Sequence, residues 1–151
     1  MPDFTILATN HTSFTVSDLD RSVRFYTDVL GFALLNRSER DPGFTGRVVG
    51  VPGAHIDVAY VQAPGHRLEL IQYLKPDARG RVEARACDTG FAHVAFDVDD
   101  IDAVVAAVEK AGVAPLSAPQ EIPAGPNKGG KAVYTRDPDG CTIEFIQRPP
   151  T

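Results

Sequence analysis

The chain has 151 residues, of which 43% are hydrophobic and 23% charged, and its formal net charge is −5. This length and composition suit a folded globular protein with one core, and they leave no room for a large separate cofactor domain. An acidic chain without a cluster of Lys or Arg excludes nucleic acid and anionic membrane surfaces as partners. With no basic leader and no apolar run of about 18 residues, we expect a cytoplasmic protein whose Cys87 and Cys141 are reduced thiols.

The first predicted element recurs later in the chain. Residues 11–20 read HTSFTVSDLD and residues 93–102 read HVAFDVDDID, so both fit one pattern of His, Phe, Val and Asp at the same spacing. Alternation of apolar and polar residues predicts a strand in each copy, and apolar residues at helical spacing follow each strand. Both predicted helices end at a glycine, Gly31 in the first copy and Gly112 in the second.

A second pair of matching segments closes each half of the chain. Residues 68–72 read LELIQ and residues 143–147 read IEFIQ. Two matches in the same order predict an α+β fold with a duplicated β-α-β-β-β module, the two copies forming a curved mixed sheet around a groove. The predicted bounds are 5–74 and 89–149 for the modules, 75–88 for the linker between them, and 5–149 for the domain as a whole.

Strand alternation places four polar side chains on equivalent faces of the two modules. Residues two apart on a strand share a face, and the apolar rows would be covered by the helices. His11, Glu69, His93 and Glu144 are then left on the uncovered faces. Burying imidazole and carboxylate groups costs free energy, and one divalent cation can satisfy all four. The pattern predicts a metal site with N and O ligands, which suits Zn, Ni, Co, Mn or Fe.

These residues lie in motifs that resemble the vicinal-oxygen-chelate superfamily, in particular glyoxalase I and methylmalonyl-CoA epimerase. The motifs are NHTSFTVSDLDRSVRFYTDVLGF, HRLELIQY, GFAHVAFDVDDIDAVV and DPDGCTIEFIQ. The resemblance implies that the four residues are metal ligands and that Glu144 is the general base and acid, with Glu69 as its counterpart. The implied enzyme is a lyase, epimerase or isomerase that moves a proton next to a metal-bound carbonyl.

Two further regions bear on the substrate, which we expect to be a small molecule. The segment GPNKGG at residues 125–130 resembles the loop that closes on the glutathione adduct in glyoxalase I. Within and beside it, Lys128 and Lys131 offer positive charge to an anionic substrate. Thr15 stands where glyoxalase I usually has an arginine that pairs with a glutathione carboxylate, which leaves the use of glutathione open.

Two alternatives remain within the same superfamily. An extradiol-type ring-cleaving dioxygenase would hold iron with two His and one Glu, so Glu69 as a fourth ligand argues against it. A metal-free drug-binding protein of the bleomycin-resistance type has no need of His and Glu at all four positions. We also expect a homodimer. Superfamily members close the groove within one chain or between two, and both arrangements fit the sequence.

Overall fold

The computed structural model describes residues 2–150, and its elements repeat in two halves. We call the elements from β1 to β4 the first module and those from β5 to β8 the second module. In chain order the described elements are β1 (Thr12–Val16), α1 (Leu19–Arg24), a π-helical segment (Phe25–Val29), β2 (Ala33–Glu39), α2 (Pro42–Val49), β3 (His55–Ala63), β4 (His66–Lys75), β5 (Val94–Asp97), α3 (Ile101–Lys110), β6 (Gln120–Glu121), β7 (Lys131–Arg136) and β8 (Thr142–Gln147).

Each module forms its own four-stranded mixed sheet. The strand orders are β1-β4-β3-β2 and β5-β8-β7-β6. In each sheet the first and last strands of the module, β1 with β4 and β5 with β8, pair in parallel. The other pairs are antiparallel. The predicted α+β fold with a duplicated module is therefore confirmed. In the part of the chain that the structure describes, no helix is long and apolar enough to cross a membrane.

The first helix of each module starts in the same way. The carboxylates of Asp18 and Asp100 each accept a hydrogen bond from the backbone N–H three residues further on, which caps the helix. The carboxamide oxygens of Gln72 and Gln147 accept from the first helical N–H over 2.8 and 2.9 Å. The closing strand of each module therefore fixes where its helix begins.

The first helix of the first module has one more residue before its terminal glycine than the first helix of the second module. The π-helical segment Phe25–Val29 lies in this stretch and uses a wider turn than an α-helix. It absorbs the additional residue, so the helix still ends at Gly31 as its counterpart ends at Gly112. The duplication thus survives a local difference in length.

The first module also contains a helix that the sequence pattern did not predict. Helix α2 lies between β2 and β3, and its start is marked by Asp41, whose side chain accepts from Phe44 N over 2.7 Å. Pro42 occupies the first turn, where its fixed φ and missing N–H are tolerated. The repeated pattern gives no sign of this helix, because α2 has no counterpart in the second module.

The apolar faces of both sheets share one core with the helices. Leu68 and Leu70 of β4 are fully buried, and so is Ile143 of β8, in agreement with the predicted apolar rows. The rings of Phe32 and Phe96 meet edge to face at 5.2 Å and join the two modules. The uncovered faces of the sheets are left to the polar side chains.

A polar junction fastens the turn between β7 and β8 to the first module. Asp139 accepts hydrogen bonds from Ser17 N and Oγ and from the Arg21 guanidinium, at 3.0, 2.6 and 2.9 Å. Beside it, the buried hydroxyl of Tyr26 donates to Asp137 Oδ2 over 3.1 Å. The two aspartates of the sequence DPDG therefore connect the two modules.

The equivalent contact, between α3 and the turn that joins β3 to β4, lacks such polar side chains. The turn between β3 and β4 has Gly65 where the second module has Asp139, and α3 has Ala103 and Ala107 at positions that correspond to Arg21 and Phe25. Since the smaller residues do not fill the space, a cavity of about 710 Å³ remains, lined mainly by apolar side chains. The cavity does not include any of the four predicted ligands.

Candidate metal centre

His11 and Glu69 form one pair on the uncovered face of the first sheet. His11 directly precedes β1, and Glu69 lies in β4, the strand parallel to it. His11 Nε2 and Glu69 Oε2 are 3.1 Å apart, with 30% and 14% of the two side chains exposed. The buried neighbours Leu68 and Leu70 point to the opposite face and hold Glu69 in the groove.

His93 and Glu144 form the matching pair in the second sheet. His93 directly precedes β5, and Glu144 lies in the parallel strand β8. His93 Nε2 and Glu144 Oε2 are 3.0 Å apart, with 31% and 20% of the side chains exposed. Each module thus brings together the His and the Glu of its own motifs.

The four residues do not converge within one chain. Among residues 2–150, no three His, Cys, Asp or Glu side chains are placed so that they could share one metal ion. His11 with Glu69 and His93 with Glu144 are instead two separate pairs. One copy of the chain therefore presents two pairs, each with one imidazole and one carboxylate, and we call each pair a half-site of the candidate centre.

The chemistry of each half-site suits a divalent ion. Two ligand atoms at right angles on a six-coordinate ion with bonds of about 2.1 Å lie about 3.0 Å apart, which is the spacing in both pairs. In the first pair, His11 Nδ1 lies 2.7 Å from Asn10 Oδ1. Nδ1 can donate to that oxygen, and a ring in that tautomer would offer Nε2 to a metal ion on the side of Glu69.

A tyrosine that sequence reasoning missed supports the first pair. Tyr60 lies opposite Glu69 in the antiparallel pairing of β3 with β4, and its hydroxyl donates to Glu69 Oε1 over 2.5 Å. Burial raises the pKa of Tyr60, and the carboxylate of Glu69 raises it further. The phenol therefore stays protonated and remains a donor at neutral pH.

Tyr134 is the counterpart of Tyr60, but it makes a different contact. It lies opposite Glu144 in the pairing of β7 with β8, and its hydroxyl is 3.3 Å from His93 Nε2. Burial raises the pKa of Tyr134, as does the charge of Glu144. In the sequence each tyrosine lies four residues before a proline, so the two can be recognised as equivalent, although their contacts with the Glu strand cannot.

The two predicted substrate-binding lysines lie in different surroundings. Lys128 is exposed in the loop 125–130, which is closed by its own backbone hydrogen bonds. Lys131 and Tyr134 point to opposite faces of β7, so Lys131 lies on the face that α3 covers. Its ammonium pairs with Asp102 at 2.8 Å. The contacts of Lys131 thus favour a structural role over contact with substrate.

The close packing of the same loop against β8 requires a glycine at position 130. A Cβ at Gly130 would lie 2.3 Å from the backbone oxygen of Gln147, so only glycine allows the loop to approach β8 this closely. Thr15 stands where glyoxalase I usually has an arginine. It is exposed in β1 on the same face as His11. It offers a neutral hydroxyl to the groove in place of a guanidinium.

Two mixed sheets built from one repeated module, each carrying a His and a Glu beside its parallel strand pair, define a duplicated α+β protein with paired half-sites. Residues 8–145 match the family model described as Glyoxalase/Bleomycin resistance protein/Dioxygenase superfamily. The chain belongs to this superfamily, and the resemblance found in the sequence motifs is confirmed.

Several known proteins are similar over nearly the full length. Lactoylglutathione lyase of Haemophilus influenzae is 36% identical over an alignment of 148 residues that covers 93% of each chain. The 2-epi-5-epi-valiolone epimerase of an Actinomyces species is 33% identical, covering 95% of this chain and 80% of the epimerase. The crystal structure of a glyoxalase family protein from Bacillus cereus superposes with a TM-score of 0.86 at 25% identity and covers 99% of both chains.

Proposed function

We propose that this protein is a divalent-metal-dependent lyase or epimerase that moves a proton on the carbon next to a substrate carbonyl. The observation that carries the proposal is the pair of matched half-sites, in which a His nitrogen and a Glu oxygen lie 3.1 and 3.0 Å apart. Membership in a superfamily whose similar proteins are named as a lyase and an epimerase supports this type of reaction.

In this proposal His11, Glu69, His93 and Glu144 hold one divalent ion. The ion, when bound, polarises the carbonyl of the substrate and so acidifies the neighbouring C–H bond. The Glu144 carboxylate removes that proton. In an isomerisation it returns the proton to the adjacent carbon; in an epimerisation a proton from solvent adds to the opposite face of the same carbon, and Glu144 releases its own proton to solvent. Glu69 is its counterpart across the site. No electrons are gained or lost, so no redox partner is required.

The two half-sites have to come from different copies of the chain. Since one chain separates the pairs, we propose a homodimer in which the His11 pair of one copy meets the His93 pair of the other. Exposed apolar side chains support association. In the segment before β1, Phe4, Ile6 and Leu7 are 70%, 83% and 91% exposed, and a second copy would cover such side chains.

The proposed substrate is a small carbonyl compound whose recognition does not depend on an arginine at the start of the groove. Thr15 cannot form the bidentate pair that a guanidinium forms with a carboxylate. A neutral hydroxyl at this position suits a polar, uncharged part of a substrate. The similarity to the valiolone epimerase is in keeping with such a compound, whereas that to the lactoylglutathione lyase keeps a glutathione adduct among the substrates to test.

Exchange of the substrate hydrogen with solvent tests the proposal. The metal-loaded protein is incubated in deuterated water with 2-oxo, 2-hydroxycarbonyl and acyl-thioester compounds, and deuterium at the α-carbon is followed by NMR. Glu144→Gln should reduce the exchange by on the order of a hundredfold or more, and the exposed Glu121→Gln should not. Exchange that is unaffected by Glu144→Gln at saturating metal, or oxygen uptake with ring cleavage, would contradict it.

A further inference from the structure

The two half-sites are alike in their His and Glu but unlike in the tyrosine beside them. In the first module the Tyr60 hydroxyl donates to the carboxylate, at 2.5 Å from Glu69 Oε1. In the second module the Tyr134 hydroxyl contacts the imidazole, at 3.3 Å from His93 Nε2. One tyrosine therefore restrains a carboxylate and the other does not.

We propose that Tyr60 is a positioning residue that fixes the carboxylate of Glu69 and thereby makes the two glutamates of the site unequal. The inference rests on the proposed function, since it assigns Glu69 to permanent metal ligation and leaves Glu144 as the carboxylate that can turn to move a proton. It adds a residue that neither the duplicated motifs nor the chemistry of the four ligands requires.

The two oxygens of Glu69 already face different partners. Oε1 accepts from Tyr60, and Oε2 faces His11 Nε2 at 3.1 Å. An ion bound by Oε2 and Nε2 would leave the hydrogen bond to Oε1 intact. The tyrosine is itself held in place, because its strand neighbours Ala59 and Val61 are fully buried and its ring meets the His11 ring edge to face at 5.6 Å.

The contact in the second half-site cannot act in the same way. Tyr134 and Glu144 both approach Nε2 of His93, at 3.3 and 3.0 Å. An ion bound at that nitrogen would occupy its lone pair and displace any proton there, so neither contact would remain. Glu144 would then have no tyrosine tether, and its carboxylate, already 20% exposed, could rotate toward a substrate.

Metal affinity of matched tyrosine variants tests the inference. The dissociation constant for Zn²⁺ is measured by competition with a chromogenic chelator for the wild type, Tyr60→Phe and Tyr134→Phe. Loss of an outer hydrogen-bond partner of a ligand weakens metal binding by about 10- to 100-fold, which we expect for Tyr60→Phe, with little change for Tyr134→Phe. The unfolding midpoints of the two metal-free variants should remain close to each other.

A third background separates positioning from general damage. If Tyr60 acts through Glu69, then Tyr60→Phe should cause no further loss of affinity in a Glu69→Ala protein. The absorption spectrum of the Co²⁺ form should also change in Tyr60→Phe and not in Tyr134→Phe. Equal affinities of the two tyrosine variants, or an undiminished loss in the Glu69→Ala background, would overturn the role of Tyr60 alone. A wild type that binds no metal would overturn both this role and the proposed function.

Discussion

The hydroxyl of Ser17 donates to Asp139 Oδ1 over 2.6 Å, across 122 positions of the chain. The Ser17 backbone N–H reaches Oδ2 of the same carboxylate at 3.0 Å. Only 10% of the Asp139 side chain is exposed. This contact connects the turn between β7 and β8 of the second module to the helix start of the first.

Removing this junction should destabilise the fold. Asp139→Ala removes the acceptor of the Ser17 N–H and the carboxylate that pairs with the Arg21 guanidinium, so we expect the free energy of unfolding to fall by about 2–3 kcal/mol. Chemical denaturation measures the loss. The control is Asp77→Ala, because Asp77 is 80% exposed and its pair with Lys75 joins near neighbours. An Asp139→Ala midpoint equal to that of the control would contradict the role of the junction.

Filling the cavity beside α3 should have the opposite effect. Ala107 is half-buried on α3 and lines the cavity, whereas Ala106 on the same helix is exposed. Ala107→Leu adds apolar surface in a space that is already present, and we expect a gain of about 0.5–1 kcal/mol in the free energy of unfolding. Ala106→Leu should give no gain. A decrease for Ala107→Leu would show that the cavity walls cannot accept the larger side chain.

The two cysteines should differ strongly in reactivity. Burial raises the pKa of Cys141 to about 12, with further contributions from the charges of Asp137 and Asp139. Because only the thiolate reacts, alkylation of Cys141 at pH 8 should be on the order of a thousandfold slower than that of an ordinary thiol. Cys87 is exposed, so one thiol per native chain should react quickly. Cys87→Ser should abolish this fast phase; a fast phase that persists would contradict the assignment.

The raised pKa of Cys141 also makes the stability of the fold depend on pH in the alkaline range. The folded protein binds the Cys141 proton more tightly than the unfolded chain, whose thiol has an ordinary pKa. The stabilising contribution is therefore fully present below the unfolded pKa and is lost as the pH rises toward about 12. Cys141→Ser should flatten the fall in unfolding midpoint over the alkaline range, and an unchanged slope would contradict this account.

Much of the fold could be predicted because the duplication repeats both ends of each module. His11 and His93 directly precede matching strands, and Glu69 and Glu144 lie in matching closing strands, so each pair follows from the parallel pairing of first and last strand. Helix α2 could not be found in this way, since it occurs in one module only.

The contacts between strands and between modules were harder to predict. Tyr60 meets Glu69 through the register of an antiparallel pair, which motif spacing does not specify. The separation of the two pairs depends on how the modules pack, and contacts such as that of Ser17 with Asp139 join residues far apart in sequence. Local patterns carry no information about such distant contacts.

Each histidine should be required for metal binding but not for folding. His11 and His93 are 30% and 31% exposed at strand entrances, so replacement by Ala removes a ligand and little packing. We expect both variants to keep the circular dichroism spectrum of the wild type and to lose bound metal during gel filtration. His55→Ala serves as the control, because His55 pairs with Glu39 away from both half-sites. Full metal content in either variant would contradict the ligand assignment.

Complementation between these variants tests most directly whether two copies build one metal site. Homodimers of His11→Ala and of His93→Ala each lack one imidazole at every site, whereas a mixed dimer has one complete site and one that lacks both. When equal amounts are allowed to exchange subunits at random, mass spectrometry of bound metal should recover about a quarter of the wild-type content. A mixture as poor in metal as its two components would contradict a site shared between two copies.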